Sequence, residues 1–225
     1  MIPTGIKYIF SNSTNYLHQI LGLLTIMSKE LDSLLAELKS VHEDLKPIST
    51  DIVVVADWVR LKCQYGCKSY GNHLCCPPFA PKPQETKSVL SEYRQAALVR
   101  FEAKTDPKLQ AKGASRALGG SVTRLHKTIF ELERTAFLAG YYKAFGMSAM
   151  PCNLCESCVV EEMLKKDQAV FELDLLKCKH KDTMRPSMEA CGIDVFQTLK
   201  NAGYSPKVLK DYAAKVELFG LLLLE

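Results

Sequence analysis

Nine cysteines in 225 residues constrain this chain more than any other feature, because seven of them fall in two short stretches. The tighter stretch is MPCNLCESC, residues 150–158, which sets Cys152, Cys155 and Cys158 at a strict three-residue spacing. Three thiols on one tight loop exceed what packing needs and suit a soft metal centre. The other stretch, KCQYGCKSYGNHLCCPP (62–78), carries Cys63, Cys67, Cys75 and Cys76. The N-terminal MIPTGIKYIFSNSTN lacks the basic start and long apolar run of an export signal, so a cytoplasmic location is expected. In that reducing setting, clustered cysteines read as metal ligands or redox groups in preference to disulfides.

A cubane [4Fe–4S] cluster needs four thiolates around a box of iron and sulfide. C-x2-C-x2-C curls the backbone around one corner, so that three sulfurs converge and loop N–H groups can point inward. The fourth ligand then comes from elsewhere. Cys178, in KCKHKDTMRP, is the leading candidate and Cys191, in EACGID, the reserve. Zinc also takes four cysteines, though usually as paired CxxC knuckles. Around Cys178 lie Lys177, Lys179, His180, Lys181 and Arg185. Positive charge there would raise the potential of a bound cluster and favour an acidic redox partner.

The first group is less regular: C-x3-C, then eight residues, then Cys76 followed by two prolines. In an extended backbone, adjacent side chains point to opposite sides, so Cys75 and Cys76 are not expected to share one small centre. Cys76 is the favoured ligand, with proline stiffening the loop behind it. Gly66 and Gly71 let the backbone turn closely around a bulky centre. With Cys63, Cys67 and Cys76 the group is one thiolate short. The fourth ligand is Cys75, His73, Cys191, or none from the protein. In the last case an iron is left open to bind a sulfur-containing or carboxylated small molecule as a Lewis acid. Tyr65, Tyr70, Asn72 and His73 are placed to line that position. A closed cluster or a zinc clip pinning the loop is the alternative.

Composition adds limits. A hydrophobic share of 47% supports a real core, and a net charge of +4 spread along the chain does not point to nucleic acid. The longest apolar stretch, YLHQILGLLTIM (16–27), is too short to span a bilayer and carries His18 and Gln19, so no membrane span is expected.

Leu17, Ile20, Leu24, Met27, Leu31, Leu34, Leu38, Val41 and Leu45 alternate spacings of three and four over residues 14–46, which predicts a long helix ended by Pro47. Leu21, Leu23, Ile26 and Leu35 widen its apolar face. Such a helix packs on its own domain, or joins a coiled coil, homo-oligomer or partner. Residues 1–50 therefore read as a heptad-patterned helical arm and 51–225 as a cysteine-rich cluster-binding domain. Within the latter, IVVVADWVRLKC (52–63) reads as a strand delivering Cys63. Residues 84–94 read as a short helix and QAALVRFEA (95–103) as a second strand, parallel to the first. Residues 107–146 read as mostly helical, with Leu125, Ile129, Leu132, Phe137 and Leu138 on the apolar face and a break at Gly119–Gly120. Residues 159–178 fit helix or strand, 185–204 read as helical up to Gly203, and VELFGLLLLE (216–225) reads as a buried terminal strand. The expected fold is α/β or α+β: a small mixed sheet flanked by helices, cysteine-rich loops at one edge, and a long N-terminal helix.

Three blocks, VRLKCQYGCKSYGNHLCCPP (59–78), GYYKAFGMSAMPCNLCESC (140–158) and CKHKDTMRPSMEACGIDV (178–195), resemble a family of predicted metal-binding proteins of anaerobic bacteria and archaea. The resemblance implies that Cys63, Cys67 and Cys76 form one group and Cys152, Cys155, Cys158 and Cys178 another. Cys75 is extra to that pattern, and the gap between Cys158 and Cys178 is longer than usual. No agreed activity comes with the family.

Three functions are therefore expected, in order. The first is a cytoplasmic iron–sulfur protein with one or two [4Fe–4S] clusters, passing electrons to a partner protein or complex in anaerobic metabolism. The second is an enzyme with an open iron on the 63/67/76 cluster. The third is a zinc-stabilised adaptor docking through its N-terminal helix. No catalytic residue is assigned.

Overall fold

The computed structural model describes residues 30–105, 117–170, 177–208 and 216–225. Among these, four strands form one sheet: β1 (Leu45–Ser49), β2 (Gln95–Ala103), β3 (Phe145–Met147) and β4 (Val216–Leu223). Their order across the sheet is β1-β2-β4-β3, and every neighbouring pair is antiparallel. The helices are α1 (residues 30–41), α2 (Asp57–Gly66), α3 (Pro83–Leu90), α4 (Gly119–Leu138), α5 (Val159–Leu164) and α6 (Val195–Asn201).

The continuous apolar runs of β2 and β4 follow from burial on both faces of the sheet. Successive side chains alternate sides. Ala97, Val99, Phe101, Leu218 and Leu222 pack on one side with Leu125, Ile129 and Leu132 of α4. Ala96, Leu98, Phe219, Leu221 and Leu223 pack on the other with Leu90, Met188, Ile193 and Leu199. Helix α4 lies close enough to β4 that glycine is required there. A Cβ at Gly220 would meet Ile129 Cδ1 at 2.6 Å and the carbonyl oxygen of Met147 at 2.8 Å.

The mixed α/β architecture and the strands at 95–103 and 216–223 agree with the sequence expectation, but three local elements differ. Residues 52–63 are not a strand. A 3₁₀ turn (Thr50–Ile52) and an isolated bridge from Val55 to Ile193 lead into α2, so Cys63 sits in a helix. The β-branched run is too short to compete with the longer helix-compatible segment that follows it. The parallel pairing expected with β2 is accordingly replaced by antiparallel contacts to β1 and β4. Residues 30–41 are helical, with Leu34 and Leu38 buried in the α4 side of the core. The helix stops short of Pro47, which lies in β1. Because β1 is an edge strand, a residue without an N–H is tolerated there. The heptad positions before residue 30 lie outside the described residues.

Candidate metal centre

The CxxCxxC loop leaves β3 under tight backbone control. Ser148 N–H donates to Pro186 O at 2.8 Å, and Met188 N–H donates to Ser148 O at 2.9 Å. Met150 then turns the chain with a φ of 65°. Thr123 Oγ1 of α4 donates to Asn153 O at 2.9 Å, fixing the loop against the helix. Cys158 ends the loop at the N-terminus of α5.

This loop forms one wall of a cavity of about 60 Å³. That is several times what one water molecule requires. Cys152, Cys155, Cys158 and Cys178 all line it, and so does Cys75 from the first stretch. Leu74, Val159 and Met184 supply apolar surface, while Lys177, Lys179 and His180 place basic groups at its rim. The sulfurs receive main-chain N–H groups. Cys152 N–H donates to Cys75 Sγ at 3.1 Å. The amides of Leu154 and His180 favour the ionised forms of Cys152 and Cys178. Burial nevertheless pushes the Cys152 thiol up to about 12, and the nearby Cys75 adds to the rise. Burial also raises Cys155 and Cys178, with Lys179 opposing the rise at Cys155. These thiols resist ionising together without a compensating cation, and a bound metal supplies that charge.

The first group is built on the end of α2. Cys67 N–H donates to Cys63 O at 3.3 Å across the last turn, which sets both residues on one side of the helix. Turns at Tyr70 and Asn72, and a 2.8 Å bond from Gly71 N–H to Pro77 O, fold the loop back and return Cys76. Cys76 is raised by its hydrogen bond with Cys75, then by burial, then by the charges of Cys75, Cys67 and Cys63. Of these, Cys67 is exposed, Cys63 is half-buried and Cys76 is buried. Arg60 ties α2 to the segment before α6, donating to Ala190 O at 2.5 Å.

The three reserve residues take unexpected places. Cys75 and Cys76 are not extended. Cys76 N–H donates to His73 O at 3.0 Å, and in that turn the two sulfurs stand 3.9 Å apart. His73 lines the same cavity as Cys75 and the CxxCxxC thiols. Its Nδ1 is enclosed without a hydrogen-bond partner, and burial lowers its pKa against the pull of Glu161. Cys191 is 0% exposed, packed among Leu90, Met188 and Ile193, and its thiol is pushed up to about 12 by that burial.

Sequence reasoning missed Glu189. Cys63 Sγ lies 4.0 Å from its carbonyl oxygen, and its carboxyl Oε2 is enclosed and unpartnered. Burial raises that carboxyl above its ordinary range. The signal was an acid in the otherwise apolar stretch SMEACGI. Among the described residues, no three His, Cys, Asp or Glu side chains close tightly enough to hold a single metal ion. The donors stand around a chamber.

A mixed α/β fold with nine free cysteines, five of them on one cavity, is that of a cysteine-rich metal-binding protein. The chain belongs to the predicted metal-binding protein family DUF2284, whose model matches residues 46–224. That match runs from β1 to the end of β4 and takes in both cysteine groups. Comparison with curated proteins and with solved structures gave no match. Among the described residues, no helix is long and apolar enough to cross a membrane.

Proposed function

We propose that the protein is an iron–sulfur protein that holds two [4Fe–4S] clusters and passes electrons to a partner. The observation that carries this reading is the single cavity lined by Cys75, Cys152, Cys155, Cys158 and Cys178. Sulfur donors predominate on its wall, and soft thiolates suit iron–sulfur chemistry or zinc. Four thiolates on a cubane stand further apart than four on one ion, so thiols arranged around a chamber favour the cluster. When bound, such a cluster supplies one-electron redox chemistry.

The protein's own groups then set the conditions. Main-chain N–H groups directed at sulfur stabilise the thiolates, and the apolar wall of Leu74, Val159 and Met184 limits water. Lys177, Lys179 and His180 favour the more negative, reduced state. Beside the first group, Trp58, Leu61 and Tyr65 of α2 are exposed in helical spacing, a surface on which a redox partner can sit close to Cys67. Anaerobic redox titration followed by EPR tests the reading. Reversible one-electron reduction with cluster signals is expected, and a redox-silent protein would overturn it.

A second reading has one observation in its favour. Cys75 and His73 line the cavity of the CxxCxxC loop and Cys191 is enclosed in the apolar core, so the 63/67/76 group keeps three thiols with Cys67 at the surface. An open iron there would bind a small sulfur-containing or carboxylated ligand. Changes in the EPR signal of the reduced protein on adding a small thiol or carboxylate would favour this enzyme-like role. An indifferent signal would remove it.

A further inference from the structure

The two cysteine groups meet. Cys75 and Cys76 are consecutive in the chain, and Cys75 lines the cavity while Cys76 belongs to the stretch that carries Cys63 and Cys67. Cys75, only 2% exposed, is part of the wall that carries Cys152, Cys155, Cys158 and Cys178. A structural buried cysteine behaves as a small hydrophobe and needs no donor. Cys75 instead accepts the Cys152 N–H at 3.1 Å and lies 3.9 Å from the Cys76 sulfur.

We propose that Cys75 is a ligand of the centre in the 152/155/158/178 cavity, so that adjacent residues each hold one of two centres. This rests on the iron–sulfur reading above. Its consequence is a short path: an electron given up by one centre is taken up by the other through the Cys75–Cys76 dipeptide, with no bond made or broken. Five thiols face a cavity that needs four. Loss of Cys75 must therefore either empty the site or force an exchange of ligand, and both leave a spectroscopic mark.

The full chain is reconstituted anaerobically with ferrous iron and sulfide as wild type, Cys75→Ala, Cys152→Ala and Cys63→Ala. Iron per chain and the EPR of the reduced protein are then measured. Cys75→Ala is expected to lose roughly half the iron, by cluster stoichiometry, or to shift the g-values of the same signal that Cys152→Ala removes. The signal that depends on Cys63 is expected to remain. Wild-type iron content with an unshifted spectrum in Cys75→Ala overturns the proposal. If circular dichroism shows that Cys75→Ala does not fold, the isosteric Cys75→Ser decides: altered g-values support ligation and unaltered ones reject it. Failure of the iron–sulfur reading looks different, because the wild type itself would then take up zinc and no iron. In that case a fall in zinc per chain on Cys75→Ala still marks Cys75 as a ligand, and unchanged zinc rejects it.

Discussion

The backbone N–H of Cys152 donates to the sulfur of Cys75 at 3.1 Å, across 77 residues of chain. One contact thus joins the CxxCxxC loop after β3 to the loop after α2. Neither loop could place a thiol there alone. The first depends on Ser148 pairing with the 186–188 segment, and the second on the turn in which Cys76 N–H donates to His73 O. The thiol array is a product of the fold, and its supports can be tested one by one.

Arg185 and Glu133 form a two-pronged ion pair at 2.6 and 2.5 Å, with side chains only 12% and 14% exposed. Glu133 Oε2 also accepts Gly146 N–H at 2.7 Å, so the pair ties the segment after Cys178 to α4 and β3. Removing one partner leaves an enclosed, uncompensated charge. Arg185→Ala is expected to cost about 3 kcal/mol in urea unfolding of the metal-free protein. A loss below about 1 kcal/mol would contradict this role.

His126 is 0% exposed on α4, and neither ring nitrogen has a partner. Burial, followed by the charge of Arg185, lowers its pKa from 6.5 to about 4. The unfolded chain therefore binds a proton between pH 6.5 and 4 that the folded chain refuses. Stability is full above that window and declines as pH falls through it, by at most about 3 kcal/mol. His126→Leu is expected to flatten the dependence in that window, as followed by denaturant midpoints at several pH values. An unchanged slope would show that other groups cause it.

Gly220 and Gly66 make a matched pair. A Cβ on Gly220 collides with Ile129 and the Met147 carbonyl, whereas one on Gly66 meets nothing within 4 Å. Gly220→Ala is expected to destabilise by about 1–3 kcal/mol through overpacking. Gly66→Ala, at the end of α2, should be neutral or slightly stabilising. Equal midpoints for the two variants would mean that α4 does not rest on β4 as closely as described.

Lys179 lies at the rim of the cavity, and its charge favours the thiolate of Cys155. On the iron–sulfur reading, Lys179→Gln removes positive charge near the reduced state and lowers the midpoint potential. About 1 kcal/mol of Coulomb energy corresponds to roughly 40 mV for a one-electron couple. A potential unmoved in the Gln variant would place the lysine's field elsewhere.

Particular residues show what could be read from the chain and what could not. QAALVRFEA and VELFGLLLLE declared themselves as strands because both faces of the sheet are covered, which demands unbroken apolar runs. Leu125, Ile129 and Leu132 likewise mark the buried face of α4, although Phe137 and Leu138 beyond them are 56% and 67% exposed. The segment 52–63 misleads because Val53, Val54 and Val55 resemble a strand start while the remainder is helix-compatible, and the valines find only an isolated bridge to Ile193. Pro47 signals a helix stop equally well as an edge strand, and only the pairing with Ala97 separates the two. The thiols themselves were legible from spacing. The place of Cys75 was not, because it is set by the Cys152 N–H of a loop 77 residues further along the chain.

We propose that these thiols hold iron–sulfur clusters, and iron, acid-labile sulfide and zinc per chain after anaerobic purification decide it. Roughly eight irons and eight sulfides per chain with little zinc are expected, by the stoichiometry of two cubanes. One or two zinc ions per chain with no labile sulfide would contradict it.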